Sequence, residues 1–460
     1  MRDLAGKQVL VLGLGDTGLS ALRWLRGQGA VLSVADSRTA PPNLDTLKAE
    51  FPQLTVYTGP FRSAMFNAVD LVVISPGVAL AEPEVQQALA NGIQVVGDVE
   101  LFAQFRPRSS KVIAITGANG KTTVTTLVGE MCKAAGLKTV VAGNIGLPVL
   151  DALRQVETDG APDVYVLELS SFQLETTSSL APDAAAVLNV TEDHMDRYPG
   201  MPEYAAAKAR ILKGAGVQVL NREDAWCRNM ALPDQPVVTF GLDLPVESHA
   251  YGLLALHDQL WLAQGAHPIL HVEELRIPGL HNAANALAAL ALCRAIGVDW
   301  APLQHVLREF KGLPHRVEWV ADLHDIAFYD DSKGTNVGAT CAALAGLPRK
   351  VVLIAGGDGK GQDFSPLREP VDQNARAVVL IGRDAALIEA ALQGSPVPRL
   401  HAASLEEAVQ QAYAAATPGD AVLLSPACAS FDMFRNYAHR AEVFIAAVAD
   451  LVTRHEEVQS

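Results

Sequence analysis

The chain of 460 residues has no uninterrupted apolar run approaching the ~20 residues that a membrane-spanning helix needs, so no membrane partner is expected. Aromatic residues are scarce, at 6%, and no heptad pattern runs through the sequence; both point to a monomer. Cations are in the minority, with 36 Lys and Arg against 51 Asp and Glu, a net charge of −15. That excludes partners held by bulk positive charge, nucleic acid first among them. The five cysteines (Cys132, Cys227, Cys293, Cys341 and Cys428) are scattered, odd in number and without C-x-x-C spacing. They predict a reducing compartment and no cysteine-built metal site. The apolar run Val9–Leu12 is short and enters a glycine turn, so no signal peptide is expected. The expected location is cytoplasmic.

What is present is length and alternation. A chain of 460 residues exceeds a single core and suggests about three domains. The first segment alternates strands (Gln8–Leu12, Val31–Ala35, Leu71–Ile74, Ile93–Val96) with helical stretches, the pattern of a parallel α/β sheet. Arg106–Ser110 reads as a linker. A second sheet follows, with strands expected at Lys111–Thr116, Thr139–Ala142, Val164–Leu167 and Ala185–Leu188. Residues 217–277 read as antiparallel strands, and Asn282–Ile296 as a helix. A third α/β segment begins near Gly312-Leu313-Pro314, with strands at Ile326–Tyr329, Val351–Ala355, Ala377–Ile381 and Ala421–Leu424.

The densest chemical signal is Gly117-Ala118-Asn119-Gly120-Lys121-Thr122, between the apolar run ending at Thr116 and a helical stretch from Thr123. Glycines let backbone N–H groups turn toward an anion with no Cβ in the way, and a helix N-terminus adds partial positive charge. Lys121 can reach terminal phosphates, and the Thr122 hydroxyl can bind Mg²⁺. The match to a full P-loop is incomplete, because its first glycine position falls on Ile115. Gly13-Leu14-Gly15-Asp16-Thr17-Gly18 also fits a phosphate-binding fingerprint after a strand, with Asp36 at the end of the next strand where a ribose-binding carboxylate sits in dinucleotide folds. Alone, it is compatible with NAD. Ser75-Pro76-Gly77 ends a strand of the same sheet and could complete an anion site.

Glu168 falls at the carboxyl end of an apolar strand, where a Mg²⁺-ligand role is the better reading beside a nucleotide loop. The stretch Asn189–Arg197 packs Glu192, Asp193, His194, Asp196 and Arg197 into one loop. Lys208 lies in a helical run whose plain reading is a solvated face.

Taken in order, ten motifs resemble the muramyl ligase family of peptidoglycan synthesis over essentially the whole chain. They are T-G-A-N-G-K-T-T, G-N-I-G (Gly143–Gly146), E-L-S-S-F-Q-L, L-N-V-T-E-D-H-M-D-R, A-A-K-A-R-I, G-L-H-N-A-A-N (Gly279–Asn285), L-P-H-R-V-E (Leu313–Glu318), D-D-S-K-G-T-N (Asp330–Asn336), G-G-D-G-K (Gly356–Lys360) and S-P-A-C-A-S-F-D (Ser425–Asp432).

The resemblance implies an α/β protein of three domains. A Rossmann-like domain over 1–99 would bind a UDP substrate. A central P-loop-type ATPase domain would span 100–312, and a Rossmann-like domain over 313–460 would carry part of the amino-acid site. It implies an ADP-forming ligase of cell-wall synthesis that joins D-glutamate to UDP-N-acetylmuramoyl-L-alanine through an acyl phosphate. In that family the first glycine turn holds UDP rather than NAD. Thr17, Asp36, Ser37, Arg38, Ser75, Gly77, Asn144 and Ser170 would line the UDP-substrate site. Gly117, Asn119, Gly120, Lys121, Thr122, Thr123, Asn282 and Arg316 would hold ATP, with Asp330 or Asp331 on its ribose. Lys333, Thr335, Lys360, Ser425 and Phe431 would take D-glutamate. Two Mg²⁺ ions are implied, one on Thr122 and one on Glu168, His194 and Lys208, the lysine as a CO₂-derived carbamate. Lys121, Glu168, His194 and Lys208 are the implied catalytic set.

Overall fold

The computed structural model describes residues 3–277 and 279–459, which fold as two compact units. Of the described residues, the first comprises 3–190, 202–270 and 286–306; the second comprises 191–201, 271–277, 279–285 and 307–459.

The first unit holds two sheets. Strands β1 (Gln8–Leu12), β2 (Val31–Asp36), β3 (Thr55–Thr58), β4 (Leu71–Ile74) and β5 (Gln94–Val96) form an all-parallel sheet in the order β3-β2-β1-β4-β5. Their Val, Leu and Ile runs suit strands covered on both faces, as parallel strands are. The second sheet carries β6 (Lys111–Thr116), β7 (Thr139–Gly143), β8 (Val164–Glu168), β9 (Ala184–Val187), β10 (Val217–Asn221), β11 (Val237–Phe240), β12 (Tyr251–Leu256), β13 (Gln259–Gln264) and β14 (His267–His271). Its order is β14-β13-β12-β11-β10-β9-β6-β8-β7. Ring contacts fasten the helix Asp98–Phe105 within this unit: Phe102 meets Tyr165 of β8 and Phe105 meets Trp24, each edge-on at 4.9 Å.

The antiparallel reading of residues 217–277 requires correction. β10 pairs with β9, and β11 with β10, in parallel, so both extend the central sheet; β11 and β12 are also parallel, while β12 and β13 are antiparallel as expected. The intervening helix Ala225–Arg228 gives a crossover long enough for parallel pairing.

The second unit has one sheet of β15 (Glu318–Leu323), β16 (Ile326–Asp330), β17 (Val351–Gly356), β18 (Ala375–Ile381), β19 (Arg399–His401) and β20 (Ala421–Leu424), ordered β15-β16-β20-β17-β18-β19. Among the described residues of this sheet, β15 alone runs antiparallel, paired with β16. Apolar layers cover both faces, one around Val351, Leu353, Val378 and Leu423, the other around Val352, Ile354, Val422 and Phe444. Among the described residues, no helix is long and apolar enough to cross a membrane.

Candidate active site

In the first unit the chemistry gathers where β6, β7, β8 and β9 end. Crossovers leave this carboxyl edge in opposite directions, which opens a crevice there. The loop after β6 turns through Gly120 at φ +81°, the left-handed region that favours glycine, and enters the helix Lys121–Ala134. A Cβ on Gly117 would press on Leu188 Cβ at 3.0 Å. Asn189 braces the loop: Ala118 N–H donates to its carbonyl (2.9 Å), Asn119 N–H to its side-chain oxygen (2.8 Å), and its amide donates back to Asn119 O (3.1 Å). Lys121 Nζ donates to Gly117 O and Ala118 O, both at 2.8 Å, so the ammonium is folded back over the loop. Thr122 is half-buried and Thr123 buried in the first turn.

Lys208 is not on a solvated face. It is 2% exposed, its Nζ donates to Gly117 O at 2.8 Å, and the ammonium stands 4.5 Å from the centre of the Tyr204 ring. Glu168 ends β8 and is 1% exposed. Its Oε1 accepts from Asn144 Nδ2 (2.9 Å), and its carbonyl accepts from Asn144 N–H (2.7 Å). Gly143, at φ +116°, lies so close that a Cβ would collide with Glu168 O. Among the described residues, Glu168 Oε2 is buried with no hydrogen-bond partner. A buried carboxylate oxygen normally has a donor or a cation. The orphan oxygen, hard in character, fits Mg²⁺. Ser170 caps the short helix Ser171–Glu175 in a reciprocal box with Gln173, holding the segment after Glu168 at a fixed angle.

At the edge of the first sheet, Gly13 turns at φ +91°, and a Cβ on Gly18 would collide with Gly13 O. Ser75 Oγ donates to Gly13 O (3.2 Å), so it braces this turn. Asp36 is engaged internally: Leu14 N–H donates to Oδ2 (2.7 Å), and Arg38 forks onto both oxygens at 2.8 and 2.7 Å. Burial pushes the Asp36 carboxyl upward, but the Arg38 and Leu14 hydrogen bonds outweigh it and hold the group below its usual value. Ser37, Arg38 and Gly77 are exposed, and Thr17 is half-buried.

His194 falls in the segment 191–201 of the second unit, at φ +59°. Its Nε2 is 3.5 Å from Asp193 Oδ2. In the same unit Asp193 Oδ1 pairs with Lys360 Nζ at 2.7 Å. Lys333 Nζ stands 3.7 Å from the centre of the Tyr437 ring, and Thr335 N–H donates to Lys333 O. Ser425 Oγ donates to Asp331 Oδ2 (2.6 Å) and lies 3.0 Å from Thr340 Oγ1. Burial raises the Asp331 carboxyl to about 7. Its neighbour Asp330 contacts His315 Nδ1 (2.6 Å) and accepts from Ser332 N–H, and burial raises it too. Asn282 accepts from Asn285 Nδ2 (3.2 Å), Arg316 is half-buried, and Phe431 is 74% exposed.

Two supporting residues escaped the sequence reading. Asn189 reads there as the polar end of a strand. Arg440, 1% exposed, donates through Nε to Ser332 Oγ (3.0 Å), through Nη2 to Ser332 O (2.8 Å) and through Nη1 to Cys428 O (3.1 Å), locking the Asp330–Asn336 loop to the Ser425–Asp432 loop. The available signal was a lone arginine on an apolar helix face. A cavity of about 650 Å³ lined by Ser109, Lys111, Asp163 and Asp299 lies at the opposite ends of β6 and β8, away from these groups.

Residues 7–97 match the family description "Mur ligase MurD-like, N-terminal domain", 115–293 "Mur ligase middle domain", and 315–428 "Mur ligase, glutamate ligase domain". The UDP-N-acetylmuramoylalanine–D-glutamate ligase of Methylobacillus flagellatus is 64% identical over 98% of this chain and 98% of its own length. The enzyme of the same name from Thiobacillus denitrificans is 59% identical, covering 99% of each chain. Among solved structures, UDP-N-acetylmuramate-alanine ligase MurC of Thermotoga maritima superposes with a TM-score of 0.60 at 20% identity, over 96% of this chain and 99% of that one. MurF of Acinetobacter baumannii gives 0.61 at 16% identity, over 98% and 92%. At such identities these two similarities concern the fold.

Proposed function

The chain belongs to the Mur ligase family, and we propose that it is the ligase that adds D-glutamate to UDP-N-acetylmuramoyl-L-alanine, driven by ATP, in peptidoglycan precursor synthesis. The observation that carries the substrate assignment is 64% identity along 98% of the chain to a ligase of that name.

A carboxylate is a poor acyl donor because oxide is a poor leaving group. Moving the γ-phosphoryl of ATP onto the alanyl carboxylate oxygen breaks the bond to the β-phosphate and forms an acyl phosphate. The amine of D-glutamate then attacks the acyl carbon, the C–N bond forms, the C–O bond to phosphate breaks, and the amine loses a proton. The loop amides of residues 117–122, the N-terminus of the following helix and Lys121 hold the triphosphate in line. For this, Lys121 exchanges Gly117 O and Ala118 O for phosphate oxygens. Asn189 keeps the loop in shape while that exchange occurs.

Thr122, and Glu168 with His194 and Lys208, would hold Mg²⁺, which would supply charge neutralisation at the transferring phosphoryl. Glu168 Oε2 offers a ready ligand oxygen. Lys208 fits this set as a carbamate, which turns a repelling ammonium into an anionic oxygen ligand and keeps one N–H for Gly117 O. Thr17, Asp36, Ser37, Arg38, Ser75, Gly77, Asn144 and Ser170 serve the UDP substrate. Asn282, Arg316, Asp330 and Asp331 serve ATP, and Lys333, Thr335, Lys360, Ser425 and Phe431 serve D-glutamate. The protein acts as a cytoplasmic monomer, with domain boundaries near residues 99 and 312.

The test is trapping. With ATP, Mg²⁺ and the UDP substrate but no glutamate, hydroxylamine should yield a hydroxamate of the alanyl carboxyl. ADP formed without any hydroxamate would remove the acyl phosphate.

A further inference from the structure

Lys360 and Asp193 stand 167 positions apart in the chain, yet their charged groups meet at 2.7 Å within the second unit. The pair is largely withdrawn from water, with the lysine side chain 19% exposed and the aspartate side chain 11%. A second tie lies beside it, from Asp363 N–H to Glu192 Oε2 at 3.0 Å. Asn336 Nδ2 reaches the other Asp193 oxygen at 3.4 Å. Both chain segments turn sharply at this contact: Lys360 sits at φ +51° and His194 at φ +59°, left-handed conformations that side-chain-bearing residues adopt at a cost of roughly 1–3 kcal/mol and that cluster at ligand clamps.

We propose that Asp193 stands in for a substrate carboxylate on Lys360 in the ligand-free protein, and that D-glutamate binds by displacing it. This rests on the reading of Lys360 as a glutamate-binding lysine. Asp193 already compensates the ammonium, and a second carboxylate brought to it is repelled by the first, so exchange is favoured over addition. The closed pair therefore lowers the apparent affinity for glutamate by the fraction of molecules in which it is open. Asp193 acts as a competitor built into the chain, and its release is coupled to arrival of the amino acid.

The experiment compares Asp193→Asn and Asp193→Glu in the full-length enzyme. Asp193→Asn should lower the KM for D-glutamate by roughly fivefold, the weight of one partly exposed ion pair, and leave the KM for ATP and for the UDP substrate unmoved. Asp193→Glu restores a carboxylate and should return the glutamate KM toward the wild-type value. An unchanged or raised glutamate KM in Asp193→Asn overturns the proposal. Asp193 adjoins His194, so turnover can fall in this variant; calorimetric titration of D-glutamate in the presence of the UDP substrate then reads the same tightening without turnover, and an unchanged Kd overturns the proposal equally. Lys360→Ala separates the two ideas. A glutamate KM unmoved by Lys360→Ala removes the reading of Lys360 together with the exchange, whereas a raised KM there beside an unmoved Asp193→Asn removes the exchange alone.

Discussion

Asn144 and Glu168 hold each other twice, through Asn144 Nδ2 on Glu168 Oε1 at 2.9 Å and through Asn144 N–H on the Glu168 carbonyl at 2.7 Å. With Oε1 held in this way, Glu168 Oε2 is left buried and, among the described residues, without a hydrogen-bond donor. Asn144→Ala should therefore lower activity by roughly 10–100-fold and raise the Mg²⁺ concentration needed for half-maximal rate, as loss of a group that orients a metal ligand does. Glu168→Gln removes the anionic oxygen itself and should cost more than Asn144→Ala at every Mg²⁺ concentration. ADP release measured across a Mg²⁺ titration checks both. Equal Mg²⁺ dependence in wild type and Asn144→Ala would mean that the pair has no part in holding metal.

Arg440 is a buried cation whose bonds go to two Ser332 oxygens and Cys428 O. Burial lowers its guanidinium to about 10, still protonated at neutral pH. Arg440→Met fills the space and leaves those acceptors without a donor, so stability should fall by about 2–4 kcal/mol. Arg440→Lys keeps the charge but not the planar fork, and should sit between the two. Urea unfolding gives the order, and the glutamate KM of Arg440→Lys should rise because the loops carrying Lys333 and Ser425 lose their common anchor.

Asp331 binds its proton more tightly folded than unfolded, since burial raises its carboxyl from 3.8 to about 7. The folded state thus holds more protons than the unfolded one between those values, and stability contributed by this group is full below pH 4, declines as pH rises, and levels off above pH 7. Relative to Asp331→Asn, which does not titrate, the wild type should lose about 2 kcal/mol between pH 5 and pH 7. Parallel stability–pH curves for the two proteins would place the Asp331 carboxyl at an ordinary value.

Much of this arrangement is legible in the residues. Val9-Leu10-Val11-Leu12, Val164–Leu167 and Ala421–Leu424 are short apolar runs bounded by polar residues or glycine, and all three are strands. Gly117–Thr122 announces its turn, because the left-handed entry to the helix at Gly120 favours glycine. The pairing direction of β10 and β11 was not legible, since strand periodicity is the same in parallel and antiparallel sheets and the crossover decides between them. β15 and β19 were missed because both are edge strands, β15 without a clean apolar alternation and β19 only three residues long. The site's anions and cations were visible as residue types, but their partners were not. Lys208 reads as solvated until Gly117 O and the Tyr204 ring are seen against it, and Asp193 and Lys360 meet only through the fold.

The most direct measurement of the central claim is Mg²⁺-dependent ADP release by the purified protein, with each substrate omitted in turn and with L-glutamate in place of D-glutamate. The account predicts sustained ADP release only with UDP-N-acetylmuramoyl-L-alanine and D-glutamate together, matched mole for mole by amide product. ADP release that ignores the UDP substrate, or equal turnover with L-glutamate, would contradict it.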